Sequence, residues 1–136
     1  MRLLPAPILI ASAMAAATLL AGTATPAFAA TTPIKGIVLV HGAFVDGAGW
    51  RPVYDILTQD GYHVTLVQAP LTSFADDVSA TKRSLERQDG PAVLVGHSYG
   101  GAIITAAGND AQVKALVYIA AHALDSGETE VGNGKL

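Results

Sequence analysis

The chain of 136 residues contains no cysteine. That removes disulfides, thiolate nucleophiles and cysteine-bound zinc, although the lack of bridges does not by itself fix a compartment. Charge is sparse: eight Lys and Arg stand against eleven Asp and Glu, for a net charge of -3. No basic run or aromatic-studded basic patch occurs, so nucleic acid is not an expected partner. The four histidines are scattered and give none of the spacings that hold a metal. No G-x-G-x-x-G follows the first internal strand and no G-K-[ST] occurs, which leaves a nucleotide-binding domain poorly supported. Neither a metal nor a cofactor is called for.

The long apolar stretch sits at the start. Met1-Arg2 is a short positive beginning, Leu3 to Leu20 is rich in Leu, Ile and Ala, and Ala27-Phe28-Ala29 has a small-x-small pattern. This reads as a signal peptide over residues 1–29, followed by one domain over 30–136. Pro5 and Pro7 interrupt the run, and what remains is short for a membrane span. The expectation is export by the general route, since no twin Arg is present, with no stable membrane anchor after cleavage.

Beyond the leader, strands and helices alternate. Gly36 to Val40 (GIVLV) is a continuous β-branched run that suits a parallel strand buried on both faces. A Gly-rich loop, His41 to Gly49, leads to a helix over Trp50 to Asp60, in which Trp50, Val53 and Leu57 share a face and Pro52 fits the first turn. Tyr62 to Val67 reads as the second strand. Ser73 caps a second helix, with Asp76 three residues on as its capping-box partner; Phe74, Val78, Thr81 and Leu85 step along one face. Asp76 and Asp77 are most simply first-turn residues of that helix. Val93 to Val95, a small-residue helix ending at Gly108, and a fourth strand over Lys114 to Ile119 complete the pattern. Such alternation predicts an α/β fold with a parallel sheet and helices on both faces. The fourth strand is expected to be an exposed edge.

The stretch with most chemical content is Gly96-His97-Ser98-Tyr99-Gly100, a G-x-S-x-G turn between strand and helix. Such a turn strains the central serine and leaves its hydroxyl free, and it needs small residues such as Gly96 and Gly100 beside it. The helix that follows points unpaired N–H groups and a positive dipole end at any oxyanion formed there, with the Tyr99 amide as one donor. The first and third strands both end in Gly-rich loops. If those strands are neighbours, their loops meet over one crevice, where sites in parallel sheets lie.

HGAFVDGAGW after the first strand and VGHSYGG after the third resemble the α/β-hydrolase superfamily. The similarity is to its esterase branch, which includes plant methylesterases, hydroxynitrile lyases and exported bacterial hydrolases, and it covers about Lys35 to Glu128. The resemblance implies a partial α/β-hydrolase fold with about four parallel strands in the order 2-1-3-4. It implies Ser98 as nucleophile, the amides of Ala43 and Tyr99 as the oxyanion hole, and His41 and Gly42 as shapers of the loop that presents Ala43. Trp50 would pack the first helix and Phe44 would border the acyl pocket. The implied activity is hydrolysis of a small carboxylic ester without a cofactor.

The family supplies its acid after a later strand and its histidine after the last one, in the chain order Ser, Asp/Glu, His. No such segments follow the fourth strand here. The expectation is the N-terminal part of a longer hydrolase, nearly inactive by itself. Among the residues present, His97 should point away from the serine hydroxyl and His63 should lie on the surface. His122 with Asp125 is the one improvised base and acid worth testing. The alternative reading is a non-catalytic small-molecule binding protein on the same fold.

Overall fold

In this computed structural model, residues 33–125 and Glu128 are described. The leader expected over 1–29, its cleavage site and most of the tail after Asp125 lie outside the described residues. The elements run in the order β1 (Gly36–Val40), α1 (Arg51–Gln59), β2 (His63–Leu66), α2 (Phe74–Leu85), β3 (Ala92–His97), α3 (Gly100–Ala107) and β4 (Val113–Ile119), with a 3-10 turn over Gly47–Trp50 leading into α1. Among the described residues no helix is long and apolar enough to cross a membrane.

The four strands form one parallel sheet in the order β2-β1-β3-β4, the order the family resemblance implied. Consecutive parallel strands cannot be joined by tight turns, so each crossover carries a helix. Alternate side chains then serve two faces. Val38, Val40, Ala92 and Leu94 point to the side covered by α2 and α3, where Ala80, Leu85, Ile103, Ile104 and Ala107 close the main core. Leu116 and Tyr118 of β4 join that cluster. The other face carries Leu39 and is covered by α1 near β2.

Several boundaries differ from the sequence reading for identifiable reasons. β2 starts at His63 because the Tyr62 N–H is spent on Leu57 O at the end of α1. β3 runs two residues further than Val95, since Gly96 and His97 still pair with Tyr118 and Ile119. Trp50 lies in the 3-10 turn and is buried, but Val53 is 38% exposed, so the expected Trp50–Val53–Leu57 face is only partly covered. β4 is the outer strand, and Val117 and Ile119 on its α1 side are each 42% exposed. The cap of α2 forms as expected: Ser73 Oγ accepts from the Asp76 N–H at 3.1 Å. His63 is exposed, 3.7 Å from the Asp89 carboxylate.

Candidate active site

The ends of β1 and β3 are adjacent strand termini, and the loops that leave them are packed together. Gly100, the first residue of α3, sits on the end of β1. A Cβ there would lie 2.7 Å from Val40 O and 2.9 Å from His41 O. A Cβ on Gly96 would meet Gly100 O at 2.5 Å. Small residues at both positions are what let the helix start directly behind the strand.

Between them Ser98 takes a left-handed backbone, φ 53. For a non-glycine residue this conformation costs about 1–2 kcal/mol and persists only where its surroundings impose it. Here the surroundings are identifiable. The Ser98 amide donates to Ile119 O at 3.2 Å, and Ser98 O accepts from the Gly101 N–H at 2.8 Å. The side chain is exposed, and among the described residues nothing hydrogen-bonds its Oγ. From the other side comes Gly42, whose added Cβ would lie 3.1 Å from Ser98 Cβ. The loop after β1 therefore abuts the serine.

That loop is held by His41, which is buried. Its Nε2 accepts from the Ala69 N–H at 3.1 Å, so Nδ1 carries the proton and donates to Gly42 O at 2.8 Å. One imidazole thus ties the loop after β1 to the loop after β2. Ala43, next in the chain, lines a cavity of about 210 Å³ together with Tyr99, Phe74, Leu71 and Asp77. Among the described residues neither the Ala43 nor the Tyr99 amide donates to another backbone group. Two free amides from adjacent loops at one cavity suit an incoming oxyanion.

The Tyr99 hydroxyl donates to Asp77 Oδ2 at 2.8 Å. Burial first, then this hydrogen bond and the Asp77 charge, push the phenol up to about 12. Asp77 is indeed in the first turn of α2, as read from the sequence, but it is 1% exposed and so does more than decorate that turn. The neighbouring Asp76 is exposed, and the hydroxyls of Ser73 and then Thr72 hold its carboxyl below the ordinary range.

Other expected site residues lie elsewhere. Phe44 is fully exposed and lines neither cavity beside the loop; Phe74, read only as a helix-face residue, takes the pocket wall and meets the Tyr99 ring edge-on at 6.3 Å. Phe44 lies two residues beyond Gly42, where the His41 clasp ends, and its ring is open to solvent. The ring of His97 turns to Trp50, 6.4 Å away edge-to-face, on the α1 side of the sheet. It borders a separate cavity of about 290 Å³ with Trp50, Val53 and Ile119. His122 is exposed beyond β4, with its carbonyl against Gly101. The Asp125 N–H donates to the Glu128 carboxylate, and Asp125 lines a third cavity along α3 rather than the one at Ala43 and Tyr99. Among the described residues no three His, Asp or Glu side chains cluster as metal ligands would.

A sequence model described as the alpha/beta hydrolase family matches residues 37–134. The chain belongs to that family. Among curated proteins it is similar to an "AB hydrolase superfamily protein" of Gibberella zeae, 34% identical over 83 residues that cover 53% of this chain and 29% of the fungal protein. Among solved structures it is similar to the pyrethroid hydrolase PytH (TM-score 0.57, 27% identity, 65% of this chain and 41% of that one). A pyrethroid hydrolase from Sphingobium faniae matches alike, with TM-score 0.57, 27% identity, and 65% of this chain against 40% of that one. The chain spans less than half the length of each of these relatives.

Proposed function

We propose that this family member carries the nucleophile and oxyanion-hole half of a serine hydrolase acting on small carboxylic esters. The observation that supports it most is the contact between Gly42 and a left-handed, exposed Ser98, which brings the Ala43 loop to the serine. In this reading Ser98 Oγ attacks the ester carbonyl carbon and the alkoxide leaves. The amides of Ala43 and Tyr99 stabilise the tetrahedral oxyanion, each worth about 10²–10³ in rate. Water then adds to the acyl-serine and releases the acid. The reaction needs no cofactor. The names of the solved neighbours, both hydrolases, favour it.

Serine attack also needs a base to take the hydroxyl proton, and no histidine among the described residues hydrogen-bonds Ser98 Oγ. Loss of such a base costs about 10⁶ in turnover. In this reading the described residues alone are expected to react slowly. The same observation supports a second reading, a non-catalytic binder of small esters. A fluorophosphonate probe followed by peptide mass spectrometry separates them. Slow labelling at Ser98, abolished in Ser98→Ala, fits the hydrolase; an unlabelled serine in a chain that still binds a small ester fits the binder. Strong labelling that falls in His122→Ala would assign the base to His122. We also propose that residues 1–29 direct export; an exported chain beginning near Ala30 tests this.

A further inference from the structure

Asp77 is a carboxylate 1% exposed, with no Lys or Arg beside it and no histidine hydrogen-bonded to it among the described residues. Burying such a charge is costly, and replacing a buried ionic group by packed apolar residues is often neutral or stabilising. Fold stability is therefore a poor reason for its presence. Both of its oxygens are used. Oδ1 accepts from the Leu71 N–H at 2.7 Å and Oδ2 from the Tyr99 hydroxyl at 2.8 Å. Those partners belong to different loops. Leu71 lies after β2 in a left-handed conformation, φ 57, and Tyr99 follows Ser98. All three residues line the cavity that also holds Ala43.

We propose that Asp77 is a positioning residue: by gripping the Tyr99 hydroxyl and the Leu71 amide together, it fixes the Tyr99 backbone at the oxyanion point and sets the cavity wall made by Leu71, Phe74 and Tyr99. This rests on the serine-hydrolase reading for its effect on reactivity, but the bridge itself does not. A satisfied network centred on a buried carboxylate specifies one arrangement of the groups it joins. Tyr99 is held at both ends, its hydroxyl on Asp77 and its carbonyl accepting from the Ala102 N–H at 3.1 Å and the Ile103 N–H at 3.4 Å in the first turn of α3. Between them the ring and the peptide carrying the donor amide have little freedom to turn. Asp77 touches neither Ser98 nor the reacting atoms, so it acts through Tyr99.

The test compares Asp77→Asn, Asp77→Ala, Tyr99→Phe and the Asp77→Asn/Tyr99→Phe pair in the full chain. Ser98 labelling by an excess of fluorophosphonate is followed by intact mass, and amide exchange at Leu71 by NMR. Asparagine keeps an acceptor for Leu71 and loses the charged one for Tyr99. Expected are roughly tenfold slower labelling in Asp77→Asn and in Tyr99→Phe, and no further loss in the pair, as for residues acting as one unit. Leu71 exchange should rise at least about tenfold in Asp77→Ala and stay near wild type in Asp77→Asn. Labelling of folded Asp77→Ala and Tyr99→Phe at the wild-type rate, or additive losses in the pair, would overturn the positioning role. A wild-type chain that never labels removes the nucleophile reading instead. The bridge is then judged on Leu71, and unchanged exchange in Asp77→Ala overturns it.

Discussion

Replacing Gly100 by alanine tests whether α3 is seated on the end of β1. The new methyl would lie 2.7 Å from Val40 O and 2.9 Å from His41 O, both backbone atoms of a central strand and its loop. Carbon–oxygen contacts normally stop near 3.3 Å, so helix or strand end must give by about 0.5 Å. Overpacking costs about 1–3 kcal/mol, and the upper end applies where the obstacle is backbone rather than a flexible side chain. Alanine's helical advantage over glycine returns at most about 1 kcal/mol. The net expectation is a loss of about 2 kcal/mol, or a Tm lower by about 8–16 °C in a domain of this size. Gly49→Ala is the matched control: nothing lies within 4 Å of its added methyl, and the change should be neutral or stabilising by up to about 1 kcal/mol. Thermal unfolding of the two variants side by side decides the matter. If Gly100→Ala were as stable as Gly49→Ala, the close seat of α3 on β1 would be wrong, and with it the adjacency of Ser98 and Gly42.

Three further outcomes are expected. Ser98→Gly should stay within about 1 kcal/mol of wild type in urea unfolding, whereas the β-branched Ser98→Val should lose about 2 kcal/mol or more, because φ 53 excludes it; equal stabilities would deny the strained turn. His41→Leu should cost about 1–3 kcal/mol by leaving the buried Ala69 N–H without an acceptor, and a neutral result would mean that imidazole does not join the two loops. The Tyr99 phenol sits near 12 when folded against 10.0 when free, so its contribution is whole below pH 10 and fades as pH climbs towards 12. A two-unit shift corresponds to about 2.7 kcal/mol, which solvent screening of the partly exposed group reduces to about 1 kcal/mol. Urea midpoints of wild type and Tyr99→Phe should therefore draw together between pH 10 and 12, and parallel curves would contradict the raised phenol, which burial and the Asp77 bridge produce together.

Much of the sheet was legible because its signals are local. GIVLV is short, β-branched and continuously apolar, which suits a doubly buried strand, and Gly96-His97-Ser98-Tyr99-Gly100 needs a strand before it and a helix after it, so β1, β3 and α3 follow from short runs. What was not legible depends on which side chains meet across loops. Asp77 and Asp76 are identical neighbours in the first turn of α2, and no local rule says that one is buried under Tyr99 while the other holds two exposed hydroxyls. A signal did exist: Asp77, Thr81, Ser84 and Leu85 repeat at helical spacing and all are buried. Extending the apolar stripe to include its polar members would have placed Asp77 on the inner face. Phe44 was assigned to the pocket by the family resemblance; its ring is exposed here, and the wall of the cavity at Ala43 comes from Phe74 at the start of α2, a contact between loops that no local run encodes.

The outer margin of β4 bears on how this chain behaves in the test tube. Among the described residues no strand lies against it, while Ala115, Val117 and Ile119 face solvent on one side and Lys114 is the one charge along its length. A sparsely charged edge strand with no partner strand among the described residues is a template on which other chains can accrete. Concentrated preparations should cloud with time, and a lysine placed at Val117 should clear them without touching the serine turn.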